Sequence, residues 1–313
     1  MLDFVIIGAQ KGGSTYLQKC LQEHPGIFIE RGENRAFEDP EYGQDGIQQL
    51  EKTLRNVPAG KVRGIKRPSY LGHPEWAERI ALYAPHTKLI ATLRSPVERA
   101  ISAYYHYMRL GLLPIVPVEN GMAAILEGEY RDRFPASEEI VEYGFYHRHI
   151  KHYLKLFSRD KLLLLTDVRV NRNRIGAVEE LYGFLEVDSS YSPKLDRAPV
   201  NEGTYSLHRL RFLQLRNALA FTYDANRTKE YLRFGLLGRV LDRAFRDFDA
   251  LCLRRILGGT MPVISDSLHK RLYDIYVNDI SSLERFLGED LSVWKNGGGT
   301  KRPSAKDARP ASQ

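Results

Sequence analysis

A chain of 313 residues, 43% hydrophobic and 27% charged, is long enough to bury a sizeable core as one large domain or as one domain with an appendage. Two cysteines, Cys20 and Cys252, are too few for a disulfide framework or a cysteine-based zinc site, and no apolar run reaches the roughly 18 residues of a membrane span. The formal charge of +7 would suggest a nucleic-acid partner, but five basic residues against one acid lie between Lys295 and Gln313, which leaves +3 for the rest, so no such partner is expected.

The N-terminus carries the acidic Asp3 and a short apolar run before Lys11, which does not fit a signal peptide; a reduced, cytoplasmic protein is expected. Phe4 to Ile7 is apolar and rich in β-branched residues, and it stops at Gly8. From Ser14, apolar Tyr16, Leu17, Cys20 and Leu21 recur at helical spacing until Pro25. The order is strand, glycine loop, helix. Strand-like runs return at 61–66, 88–93 and 162–166, with helical patterns between them at 75–82, 97–109 and 144–157. Such alternation predicts an α/β fold: a P-loop-like parallel sheet of four or five strands flanked by helices. Its ligand belongs at the carboxyl ends of the strands, where the loops after Ile7, Lys66 and Leu93 gather.

Residues 1–206 read as this core. Residues 207–259 read as a helical insertion or subdomain, and 260–294 as a terminal helical part of the core. The tail 295–313, rich in Gly, Pro, Ser and Ala, reads as disordered. Within 229–257 an apolar stripe through Leu237, Val240, Leu241, Ala244, Phe245, Phe248 and Leu251 runs beside seven basic residues. The favoured reading is a helical hairpin packed on the core, and the alternative is a helix that lies on a membrane surface or a partner.

The loop Gly8-Ala-Gln-Lys-Gly-Gly-Ser-Thr15 comes close to G-x-x-x-x-G-K-[ST] but places its lysine at Lys11 instead of after Gly13. Glycine-rich backbone turning into a helix offers free N–H groups at a positive dipole end, and Ser14 and Thr15 add hydroxyls; this suits a phosphate. The strand 88–93 is followed by Arg94 where an NTPase would carry a magnesium-binding Asp, so fixed positive charge stands in for a metal. Ser102, eight positions after Arg94 on a helix that begins near Pro96, can face the same crevice. A guanidinium there can clamp a second phosphate, or can simply pair with Glu98.

These two stretches, FVIIGAQKGGSTYLQKCLQEHP and KLIATLRSPVERAISAYYHYM, together resemble the sulfotransferases that use 3′-phosphoadenosine 5′-phosphosulfate (PAPS), especially the heparan sulfate type and its bacterial relatives. ERGENRAFED is similar to their K-E-x-x-F-F stretch and GIKRPSYL to G-E-K-[ST]-P-x-Y. Gly144-Phe-Tyr146 followed by LLLLTDVRVN is similar to their G-x-Y helix and the next strand, and 261–294 resembles their terminal region. The resemblance implies PAPS as co-substrate, no metal, and these roles. Gln10, Lys11, Gly12, Gly13, Ser14 and Thr15 would hold the 5′-phosphosulfate, with Lys11 neutralising the leaving phosphate oxygen. Arg94 and Ser102 would hold the 3′-phosphate, and Tyr146 would line the nucleotide pocket. Glu33 would be the base and Lys66 would sit near the transferring group. The acceptor would be a hydroxyl, or less readily an amine, on a glycan or a sugar-bearing or lipid-like metabolite. Gly32, Arg35, Ala36 and Ile65 depart from the pattern, so Glu30 and Glu38 stay open as alternative bases, and because another branch of sulfotransferases uses a histidine base, so do His73 and His106. Asn201 would mark a loop over the nucleotide. A P-loop kinase or NTPase, and a nonenzymatic anion- or glycan-binding protein on a degenerate scaffold, are the rival readings; the oligomeric state is not legible.

Overall fold

The computed structural model describes residues 1–194, 203–224 and 229–296. Asn201 and the tail from 297 onward lie outside the described residues. Five strands, β1 (Phe4–Gly8), β2 (Ile27–Ile29), β3 (Val62–Lys66), β4 (Lys88–Leu93) and β5 (Leu162–Thr166), form one parallel sheet in the order β2-β3-β1-β4-β5. β1 sits at the centre, with Val5 opposite Ile65 on one side and Leu89 on the other. The chain winds outward from β1 in both directions, so a crevice opens where β1 and β4 end.

Helices cover both faces, which is why β1 and β5 are buried along their whole length and read as continuous apolar runs. Alternate residues serve opposite layers. Phe4 and Ile6 pack with Leu17, Cys20 and Leu21 of α1 (Ser14–Glu23), while Val5 and Ile7 join the larger core on the other face. That larger core receives α2 (Gly46–Arg55), α3 (Pro74–Tyr83), α4 (Pro96–Leu110), α5 (Val118–Leu126), α6 (Glu139–Glu142) and α7 (Tyr146–Leu156). After β5, α8 (Asp167–Arg172) and α9 (Arg174–Phe184) follow, and α9 closes the α1 face through Val178, Leu181 and Tyr182.

The sequence under-read two places. β2 is three residues long, too short for a period to register, and the turn at Gly26 sits against it. The stretch from 207 was expected to be nearly all helical; instead α10 (Leu207–Ala220) gives way to an antiparallel hairpin, β6 (Phe221–Tyr223) and β7 (Glu230–Leu232), before α11 (Gly235–Phe248), a π-turn at 249–253, and α12 (Arg254–Leu257). α10 is fastened to the end of α4, where Asn217 Nδ2 donates to the Arg109 carbonyl at 3.0 Å and Tyr223 OH to that of Leu110 at 2.8 Å. The last helix, α13 (Asp266–Leu287), returns to the core: Asp279 accepts the backbone N–H groups of His147 and Arg148 at the start of α7, and fully buried Trp294 donates to Asp167 at 2.9 Å.

Candidate active site

A cleft of about 1530 Å³ lies over the carboxyl ends of β1, β3 and β4. Its floor is the loop after β1. Gly12 is packed so closely under β4 that a Cβ there would stand 2.4 Å from the Thr92 carbonyl, and Ala9 N–H donates to that same carbonyl at 2.8 Å. Lys11 and Gly13 both adopt left-handed backbone, at φ 65° and 104°. A lysine is less favourable than glycine there, so the loop's own contacts hold Lys11 in that conformation. No side chain caps α1, and Ser14 and Thr15 of its first turn line the cleft, while Tyr16 N–H donates to the Gly13 carbonyl at 3.0 Å. Lys11 lines the same wall; burial first, then Arg109 and Arg94, bring its amine down to about 8.

Lys66, the last residue of β3, is buried and is not itself part of the cleft lining; it lies behind the wall, between this floor and Glu33. Its Nζ donates to Thr15 Oγ1 at 3.5 Å and lies 3.8 Å from Glu33 Oε1. Glu33 rides on a loop pinned to β3, where Asn34 N–H donates to the Lys66 carbonyl at 2.9 Å and Tyr70 OH to the Asn34 carbonyl at 2.7 Å. Its other oxygen accepts from Arg67 Nη1 at 2.6 Å, yet the side chain keeps 42% of its surface exposed to the cleft.

The alternatives to Glu33 are differently placed. Glu38 is fully buried and bound on both oxygens by Arg67, with Ser69 Oγ at 3.1 Å and Lys229 Nζ at 3.4 Å. Burial would raise its carboxyl, but Arg67 outweighs that and holds it below the usual value. Glu30 stands outside the cleft wall, accepting from Asn34 Nδ2 at 3.0 Å. His73 stacks on Trp76 at 3.6 Å and has both ring nitrogens engaged, by Glu75 at 2.8 Å and Tyr143 OH at 2.6 Å. Glu38 and His73 line the cleft as Glu33 does, and so does His106; burial, then Lys11 and Arg109, push its imidazole far down, and Arg109 donates to its Nδ1 at 3.2 Å.

On the β4 side, Arg94 and Ser102 both line the cleft, as the eight-residue spacing predicts. Arg94 is ion-paired with Glu98 one turn into α4. Burial alone would weaken the guanidinium's charge; Glu98 more than reverses this. Gln10 also lines the cleft, donating to Tyr107 OH at 3.2 Å, while Tyr107 OH donates to Glu139, a carboxyl raised chiefly by burial.

Tyr146 is a correction. It was expected on the nucleotide pocket, but α7 begins beneath the wall, and the ring is buried edge-on to Trp294 at 6.3 Å with its hydroxyl unpartnered among the described residues. Conversely, Arg67, Arg109 and Lys229 reach the cleft unannounced. Arg67 could have been found, because it follows Lys66 directly at a strand end; Arg109 and Lys229 arrive through the fold. No group of three or more metal-ligating side chains occurs among the described residues.

A family model described as "Sulfotransferase domain" matches residues 2–229. The chain is 28% identical over 181 residues to heparan sulfate glucosamine 3-O-sulfotransferase 3B1 of Homo sapiens, covering 58% of this chain and 45% of that protein. It is 26% identical over 166 residues to bifunctional heparan sulfate N-deacetylase/N-sulfotransferase 1 of Caenorhabditis elegans, covering 52% and 19%. It thus spans less than half the length of these two relatives. In fold it is similar to a sulfotransferase from Alicyclobacillus acidocaldarius, with a TM-score of 0.63 over 94% of this chain and 99% of that one, at 20% identity.

Proposed function

The chain belongs to the sulfotransferase domain family, and we propose that it moves a sulfuryl group from PAPS to a hydroxyl of a sugar-bearing acceptor by in-line displacement. The observation that carries this reading is the reach of Lys66, whose Nζ stands between Thr15 at the phosphate-binding helix start and the carboxylate of Glu33. One cation then touches both the end where a leaving phosphate gathers charge and the end where an acceptor hydroxyl loses its proton. Positioning and charge neutralisation are what such a transfer needs.

Lys11 and the uncapped start of α1 receive the 5′-phosphosulfate, and Lys11 offsets charge on the departing phosphate oxygen. Arg94 and Ser102 take the 3′-phosphate, with Arg94 sharing its guanidinium between that phosphate and Glu98. Glu33 is the base: it is exposed to the cleft, next to Lys66, and less fully engaged than Glu38. The names of the human and nematode relatives, one an O-sulfotransferase and the other an N-sulfotransferase acting on heparan sulfate, support a sugar acceptor. The cleft exceeds the roughly 300–1,000 Å³ of an ordinary small-ligand pocket, leaving room for nucleotide and acceptor together.

Thermal-shift titration with 3′-phosphoadenosine 5′-phosphate, against ATP and AMP, tests the nucleotide. Selective stabilisation by the bisphosphate is expected; equal or better stabilisation by ATP with magnesium would overturn the reading in favour of an NTPase. In labelled-sulfate transfer to a panel of glycans and sugar-bearing metabolites, Glu33→Gln should lose ~10²–10⁴-fold in turnover while keeping the bisphosphate shift. Retention of turnover in that variant would remove Glu33 from the chemistry.

A further inference from the structure

The outer wall of the C-terminal helical part is built in three faces. Toward the protein, the α11 segment packs on α10, with Phe245 and Phe248 meeting Phe212 at 5.2 and 5.4 Å between ring centroids and Asp249 pairing with buried Arg209 at 2.7 Å. Thus half of the expected core packing is present. The other half is absent: Leu237, Val240, Ala244 and Leu251 form a second apolar face turned to solvent, with half-exposed Phe248 at its edge. Leu237 is 60%, Val240 57% and Leu251 61% exposed, and Leu236 and Ile256 extend the patch. A contiguous apolar surface of this kind on a folded chain marks a contact site.

The third face is basic. Arg233, Arg239 and Arg255 are exposed with no carboxylate in ion-pairing range among the described residues, whereas Arg243 and Arg246 are matched along the helix by Asp247 and Asp242. An apolar stripe flanked by unmatched arginines fits an interface where acyl chains meet anionic phosphates. It fits a second copy of the chain poorly, since a symmetric pairing would set two arginine rims against each other. No helix among the described residues is long and apolar enough to cross a membrane, so the contact is peripheral. The helix is also tethered at both ends to the cleft, entered from Lys229 and Glu230 and left through 259–264, all of which line it.

We propose that the outward face of α11 and α12 seats the protein on an anionic membrane surface, with Leu237, Val240 and Leu251 entering the acyl boundary and Arg239 and Arg255 meeting lipid phosphates. The proposal does not depend on the sulfuryl-transfer reading, because its test reads lipid binding alone.

Co-sedimentation of the full chain with vesicles of phosphatidylcholine, alone or mixed with phosphatidylglycerol, is the experiment. Binding to the mixed vesicles is expected, much weaker binding to the neutral ones, and release by salt. Leu237→Asp with Val240→Asp should abolish binding, and Arg239→Glu with Arg255→Glu should weaken it by at least about fivefold per arginine while leaving the circular dichroism unchanged. Absence of binding to mixed vesicles, or equal binding to both kinds, would overturn the proposal. So would a concentration-dependent dimer in light scattering, broken by the same aspartates, without vesicle binding.

Discussion

Lys11 is the residue on which most of the proposed chemistry converges, and its electrostatics make a pH prediction. Burial, Arg109 and Arg94 bring its amine down to about 8, so in the free protein it is charged below that pH and loses its proton as pH rises through it. The charged form is the one that attracts a phosphate. Stabilisation by the bisphosphate, measured by calorimetric titration, should therefore weaken as pH passes about 8, and Lys11→Arg, which stays charged, should flatten that dependence. A pH profile identical in wild type and Lys11→Arg would place the titrating group elsewhere. Lys11, Arg94 and Ser102 were legible in the sequence because each follows a strand end or rides a helix just beyond one, whereas Glu33 and Lys66 were singled out by the resemblance of their stretches to the sulfotransferase pattern. Arg109 and Lys229 were not, because their place in the cleft depends on where α4 ends and how the β6–β7 hairpin folds back.

At the scale of an element, the strand-loop-helix unit of β1 and α1 works because its loop has no side chain where β4 passes. A Cβ on Gly12 would stand 2.4 Å from the Thr92 carbonyl, and neither backbone can yield without breaking the contact from Ala9 N–H to that same carbonyl. Gly12→Ala should cost roughly 1–3 kcal/mol in urea unfolding and remove most bisphosphate stabilisation, even though Gly12 itself is absent from the cleft wall. A fully stable variant with normal nucleotide binding would show that the loop has slack. The unit was readable in advance since strand period, glycine cluster and helix period follow one another without interruption. The β6–β7 hairpin escaped notice because each strand is three residues long and its residues are only partly buried.

Across the whole molecule, the C-terminal segment closes the structure by returning to β5. Trp294 is fully buried and donates to Asp167, which in turn stands near Arg94, so the chain's last described turn supports the wall that carries the proposed 3′-phosphate site. Trp294→Ala should destabilise the protein by about 3–5 kcal/mol in a denaturant titration and weaken bisphosphate binding without touching the cleft. Unchanged stability would mean that 266–294 is an accessory to the fold.

What the sequence by itself determined is the alternation of the longer strands and helices, the strand–glycine loop–helix unit at 4–23, and the residues at the carboxyl ends of β1, β3 and β4. Those follow from periodicity and chain-local chemistry, which act over a few residues. Only the tertiary structure decided that Glu38 is fully buried and held on both oxygens by Arg67 while the Glu33 side chain stays partly exposed, that Tyr146 packs beneath the wall, and that one face of α11 is left in solvent. Each of these depends on which distant side chain arrives opposite, and burial and ion pairing between residues far apart in sequence leave no trace in local spacing.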